Sequence, residues 1–139
     1  MTEESTTPDL VERVQRAVDA VNARDIDALM SLYVPDAIFD TEVFGVFEGR
    51  KAIRGYLEDW LGAYDEVRVE IEARRDLGNG VIFGVFVQHG RPRDSTGWVQ
   101  FRYGNVSTVV DGLIERTTYY RDLDEARAAA ERLAEERGG

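Results

Sequence analysis

The chain has 139 residues, 43% of them apolar, with 27 acidic against 17 basic side chains for a formal charge of −10. That length suits one domain with a real core, and the acidic balance argues against binding nucleic-acid phosphates or anionic membranes. One histidine and no cysteine exclude a thiol nucleophile, a thiolate zinc site, a c-type haem attachment and a disulfide framework, leaving carboxylates, hydroxyls, amides and a single imidazole for any chemistry.

No run approaches the ~18 apolar residues of a membrane span, and the polar start from Met1 to Thr7 is unlike a signal peptide, so the chain reads as cytoplasmic. Residues 1–7 read as a flexible tail. Thr7-Pro8-Asp9 is a helix start, with a capping hydroxyl and proline at the first helical position. Leu10, Val14, Ala17, Val18 and Val21 then recur at helical spacing to about Asn22. Asp25 caps a second helix with Ile26, Leu29, Met30, Leu32 and Tyr33 on its apolar face, closed by Pro35, and Ala37 to Asp40 is a short strand. Gly49 precedes a third helix whose face of Ile53, Tyr56, Leu57, Trp60, Leu61 and Tyr64 is rich in aromatic rings.

From Val67 the period becomes two, with Val67, Val69, Ile71 and Ala73 alternating with charged residues, the pattern of a half-buried antiparallel strand. The arginines in and beyond it, Arg68, Arg74, Arg75, Arg91 and Arg93, each lie near an acid and read as a solvated mixed-charge face. Leu77 to Gly80 is turn chemistry, and Val81 to His89 is a strand apolar on both faces for most of its length. Gly90 to Gly97 is long for a hairpin loop and reads as a rim or lid. Trp98 to Val110 and Leu113 to Arg121 are strands joined at Asp111-Gly112. Asp122 with Glu125 makes a capping box for a final helix within 122–139, which turns Leu123, Ala126, Ala130 and Leu133 inward. The order predicts an α+β domain spanning 1–139: a curved antiparallel sheet wrapped on N-terminal helices as a cone, a cystatin-like roll, with an extra C-terminal helix.

Several segments carry a resemblance. They are Asn22 to Leu29, Leu32-Tyr33 with Pro35-Asp36-Ala37, Gly49 to Ile53, and Asp111 to Ile114 before Tyr119 to Asp122. Together, over about Leu10 to Ala130, they resemble the SnoaL-like branch of the nuclear-transport-factor-2-like superfamily. The resemblance implies a cone-shaped α+β fold, a homodimer formed through the sheet, and a pocket for a small apolar or aromatic ligand. Its enzymes include ketosteroid isomerases, polyketide cyclases, limonene-epoxide hydrolases and scytalone dehydratase, which need no cofactor, and other members have no known activity. Fold alone therefore does not assign a reaction.

Asp40 falls close to where ketosteroid isomerases keep a general-base aspartate, and in an apolar cone desolvation would suit it to move a proton. Thr41 follows where those isomerases have proline, and Glu42 is the next carboxylate. Asn105 falls near the isomerases' second, protonated aspartate and has an amide able to donate to a carbonyl or enolate oxygen. Ala17 stands where their oxyanion tyrosine is expected, so the resemblance stops short of steroid isomerisation. Neither the arginine and two aspartates of the epoxide hydrolases nor the two histidines of scytalone dehydratase are recognisable.

His89, beside the 90–97 loop, is an acid/base partner for Asp40 if it reaches the cone's mouth. Tyr33, Tyr56, Trp60, Phe83, Trp98, Tyr103 and Tyr119 are pocket-lining candidates, core packing being the alternative for each. Arg116 binds a ligand oxygen if it faces inward and is surface charge if it faces outward. No spacing forms a metal-ligand cluster or a glycine-rich phosphate loop. Two functions fit: acid/base isomerisation, cyclisation or dehydration of an apolar carbonyl ligand, or a non-catalytic carrier or dimeric partner-binding module. A cavity of ~300 Å³ or more with Asp40 open to it is what the first requires.

Overall fold

A computed structural model describes the backbone of residues 2–138 and the side chains of Leu10 and residues 12–138. Four helices and six strands alternate as α1 (Thr2–Asn22), α2 (Ile26–Met30), β1 (Tyr33–Asp40), β2 (Val46–Glu48), α3 (Arg50–Gly62), β3 (Tyr64–Gly78), β4 (Val81–Pro92), β5 (Val99–Val110), β6 (Leu113–Tyr120) and α4 (Leu123–Gly138). The strands form one curved open sheet in the order β2-β1-β6-β5-β4-β3. It is an α+β domain with a curved sheet on N-terminal helices and an extra C-terminal helix, as the pattern predicts; the structure adds that the last helix lies on the opposite face of the sheet.

The first strand differs from the prediction. The second helix stops at Met30 and Pro35 lies inside β1. Proline forces Val34 toward extended backbone, so it begins a strand rather than ending a helix. Its missing N–H falls where the parallel pairing of β1 with β6 is interrupted, between Tyr33↔Ile114 and Ile38↔Arg116. The sheet is therefore mixed, with β1 and β6 parallel and the other neighbours antiparallel. The predicted cap at Asp25 is present, its carboxylate accepting from the Ala28 N–H at 3.0 Å. The first helix extends to Thr2, so the start read at Thr7-Pro8 lies within it.

Three-residue β2 is too short for any periodicity to reveal. It pairs with Ile38 to Asp40, and Thr41 fastens the turn between them. Its N–H and its hydroxyl both donate to the Gly45 carbonyl, at 3.0 and 2.7 Å, while the hydroxyl accepts from the Phe44 N–H at 2.8 Å. The segment read as a lid is also tied down. Strand β4 continues to Pro92, and Arg91 grips Asp65, Glu66 and the Ser95 carbonyl at 3.0 to 3.2 Å. A loop with that many fixed partners has lost the freedom a lid needs.

Alternation along the strands sorts residues onto two faces. The concave face packs on α1, α2 and α3 around Tyr33, Phe39, Ile53, Leu57, Ile82 and Ile114. On the outer face Val81, Phe83, Val85 and Val106 are covered by Ala126, Ala130 and Ala134 of α4. Small residues let this helix lie close: a Cβ built on Gly104 would stand 2.5 Å from the Ala126 Cβ. The predicted cap of α4 is in place, with the Asp122 carboxylate accepting from the Asp124 and Glu125 N–H groups. Thus α4 occupies much of the sheet face through which the resemblance implied dimerisation. Beyond the helix that face carries ion pairs, with Arg68 against Glu70 and Arg102 against Glu72.

Candidate functional site

Two hollows lie on the concave side. A small inner chamber of about 60 Å³ sits under α1 and is lined by Tyr33, Ile82, Gly84, Asn105, Ser107, Val109, Ile114 and Thr117. A wider cleft of about 680 Å³ opens at the cone's mouth between the β1–β2 turn, α3 and the start of β5. Only the second is large enough for a small organic ligand. Tyr103 and Tyr119 line both.

The cleft is mostly aromatic. Phe39, Tyr56, Trp60, Tyr64 and Phe101 form its walls, with Val43 and Phe44 on the turn at its edge. Tyr56 stacks on Phe47 at 4.7 Å between centroids and leans on Phe39 and Phe44 at 5.7 and 6.2 Å, which fixes the α3 wall against β1 and β2. Phe44 is 70% exposed and Phe101 52%, so the mouth offers apolar surface to an incoming molecule. Polar groups are few: buried Thr41 and Gln88, the phenols, and Glu42, Arg102 and Arg121 at the rim. The Arg121 N–H donates to Glu42 Oε1 at 3.0 Å, and Arg102 is held by Glu72 at 2.7 Å.

The inner chamber carries a short polar relay. Ser107 Oγ donates to Asn105 Oδ1 at 2.9 Å and lies 3.1 Å from Thr117 Oγ1. Burial pushes the Tyr33 phenol up to about 12, against a smaller opposing hydrogen bond from Thr117. Burial likewise raises Tyr103 and Tyr119 well above the usual phenol range, with a further upward push from the neighbouring phenols, and raises Tyr56. These hydroxyls are therefore neutral donors and acceptors at physiological pH, not bases.

The predicted site residues divide. Tyr56, Trp60, Tyr103 and Tyr119 line the cleft, and Tyr33 and Asn105 line the chamber. Five others lie elsewhere. Asp40 follows Phe39 on β1 and so points to the outer face, where it accepts from Arg116 at 3.4 Å and from the Glu42 N–H at 3.1 Å. Arg116 faces outward with it and does not meet the cleft. His89 follows Gln88 and also faces outward, 2.8 Å from Glu70. The proposed Asp40–His89 acid/base pair is thereby overturned, because strand parity turns both away from the cone. Phe83 lies beneath α4 with Arg127 over its ring, and Trp98 stands in a separate shallow groove beside Arg68 and His89.

Sequence reasoning missed Gln88, Phe101, Thr41, Ser107 and Thr117. Parity would have found three of them: Phe101 and Ser107 share a face with Tyr103 and Asn105 on one strand, and Gln88 opposes Phe101 across β4–β5. Among the described residues no group of three or more His, Asp or Glu side chains converges as a metal site. No described helix is long and apolar enough to cross a membrane.

The fold, an α+β cone, is shared by solved proteins. One of ketosteroid isomerase-like fold from Catenulispora acidiphila DSM 44928, in complex with trimethylamine, is 18% identical, with a TM-score of 0.73 over 86% of this chain and 92% of that one. TerC, co-crystallised with polyporic acid, is 14% identical, with a TM-score of 0.72 over 89% and 98%. An LEH-like epoxide hydrolase from M. tuberculosis is 18% identical, with a TM-score of 0.72 over 91% and 92%. At such identities the likeness is one of fold. No curated protein matches the sequence. The family model of the SnoaL-like domain matches residues 14–117, and the chain belongs to that family.

Proposed function

We propose that this protein binds a small, flat, apolar or aromatic ligand in the cleft at the mouth of the cone, as a carrier or sensor. The observation that carries this reading is the cleft itself, about 680 Å³ walled by Phe39, Tyr56, Trp60, Phe101, Tyr103 and Tyr119. Apolar walls supply affinity, and the neutral phenols with Gln88 supply orientation through a ligand oxygen. The complexes of trimethylamine and polyporic acid with structural neighbours support a small molecule as the occupant. Acid/base catalysis centred on Asp40 has no support in this arrangement. Glu42 is the one carboxylate that lines the cleft, so a reaction here would run through it.

Tryptophan fluorescence gives the test. The chain has two tryptophans, and Trp98→Phe leaves Trp60, in the cleft wall, as the sole reporter. Titration with 9-fluorenone, a flat cyclic ketone, is expected to quench Trp60 saturably, with Phe101→Lys weakening the effect. Unsaturable quenching up to the solubility limit of the ketone sinks the reading. Turnover of a cyclic ketone that vanishes in Glu42→Gln replaces the carrier with an isomerase or cyclase.

A further inference from the structure

Four aromatic rings cross the concave face in one line, each from a different strand. Phe86 on β4 meets Tyr103 on β5 at 5.7 Å between centroids, Tyr103 meets Tyr119 on β6 at 5.1 Å, and Tyr119 meets Phe39 on β1 at 5.1 Å. Register accounts for the line: Phe86 is directly opposite Tyr103, while Tyr119 lies opposite Asn105, one step along β5 on the same face. The same alternation sets what lies on each side. Toward the mouth, the next residues on that face are Gln88, Phe101 and Thr41, which line the cleft. Toward the interior they are Gly84, Asn105 and Thr117, which line the chamber.

The two middle rings, Tyr103 and Tyr119, are in T-shaped contact at an interplanar angle of 70° and are the two residues common to both linings. Beyond them the chamber measures about 60 Å³, room for a few water molecules and far below the volume of an organic ligand. Its lining on the α1 side is Val14, Ala17 and Val18 with Arg13 beside them, and Ile82 and Ile114 add apolar surface from the sheet. The chamber is thus a natural extension of the cleft, closed off by two side chains.

We infer that Tyr103 and Tyr119 are the specificity-determining residues for ligand length: they hold a bound molecule to the outer cleft and keep it out of the chamber. This rests on the cleft being the ligand site. The class accepted is therefore short and broad, a fused-ring or phenyl ketone without a long tail, and the class refused is the same head with an extended alkyl chain. Tyr103 is the better residue to remove, because Tyr119 is wedged between Phe39 and Tyr103 and supports the β1 core.

The test uses a homologous series of alkyl phenyl ketones, from acetophenone through valerophenone to dodecanophenone, titrated against the full chain by calorimetry. Affinity for the unaltered protein is expected to rise about fourfold per methylene while the chain still fits, then to level off or fall. In Tyr103→Ala the rise is expected to continue by several methylenes before levelling. Tyr103→Leu keeps apolar bulk in the core should the alanine variant fail to fold, and is expected to move the break point in the same direction by less. A break at the same length in the folded variant, or no break in the unaltered protein, overturns the partition while leaving the cleft as the ligand site. Failure of every ketone to bind overturns the cleft and the partition together.

Discussion

The two faces of the central sheet are both buried in part, yet they are built from opposite materials. The concave face carries rings and neutral hydroxyls that enclose space, with Tyr103 and Tyr119 facing a cleft. The outer face carries alanine-on-valine packing under α4 and, beyond it, ion pairs such as Asp40–Arg116 and Glu72–Arg102 and the Glu70–His89 hydrogen bond. Rings too large to interdigitate fully leave a hollow, whereas alanine against valine leaves none. The residues with the most familiar chemistry, Asp40 and His89, point away from the aromatic cleft.

Loading the packed face with a charge breaks the comparison most severely. Ala130 is fully buried beneath α4, and Ala130→Glu is expected to destabilise the fold by on the order of 3 kcal/mol or more, since a lone buried carboxylate has no partner there. Urea denaturation measures it, and a loss below about 1 kcal/mol would mean that α4 lifts off at little cost.

The ring-lined face is vulnerable instead to alkali. Tyr33 ionises near 10 in the unfolded chain and is pushed up to about 12 when folded, so the unfolded state sheds its proton first as pH rises. Stability is complete below pH ~10 and falls as pH climbs toward about 12, by on the order of 2 kcal/mol for this phenol alone. Ultraviolet absorbance should show phenolate appearing together with unfolding. Phenols that titrate fully in the native state near pH 10 would contradict the burial.

Removing one cleft wall is a milder change. Trp60→Ala is expected to weaken 9-fluorenone binding about tenfold by calorimetry, the loss of one aromatic contact surface. The counterpart on the outer face, Asp40→Asn, is expected to leave that affinity unchanged and to cost less than about 1 kcal/mol, because its ion pair with Arg116 is half in solvent. A large loss of binding in Asp40→Asn would return that aspartate to the site.

The smallest effect belongs to His89. Its hydrogen bond, with help from Arg68, holds the Glu70 carboxyl below the usual carboxylate range. That contribution is present at pH values above the ordinary glutamate range and fades as pH falls through the lowered value. His89→Ala should slightly lower the neutral plateau of the stability profile, read by urea denaturation, and flatten its acid side, with the two proteins converging at the acid end.

Much of the fold was legible because its signals are local. Asp25 and Asp122 cap helices through their own carboxylates, and the alternation from Val67 to Ala73 marks a half-buried strand with one wet face. The site was less legible because it depends on which of two faces a residue takes. On β4 every position from Val81 to Gln88 is buried, so hydrophobicity cannot separate Phe83, beneath the helix, from Phe86, in the ring row. Likewise Asp40 occupies the expected stretch of β1, but one step beyond the inward Phe39.

Strand order has a consequence for how the chain reaches this shape. The β1 strand finds its parallel neighbour in β6, about eighty residues further on, where the Ile114 N–H donates to the Leu32 carbonyl at 2.7 Å. Closing so long a loop is entropically demanding, and the first half of the chain cannot complete its sheet until the sixth strand has been synthesised. Until that pairing forms, Phe39 and its neighbours wait without a β6 wall, and a ribosome-bound nascent chain ending before Leu113 should engage chaperones more than one that ends after Tyr120.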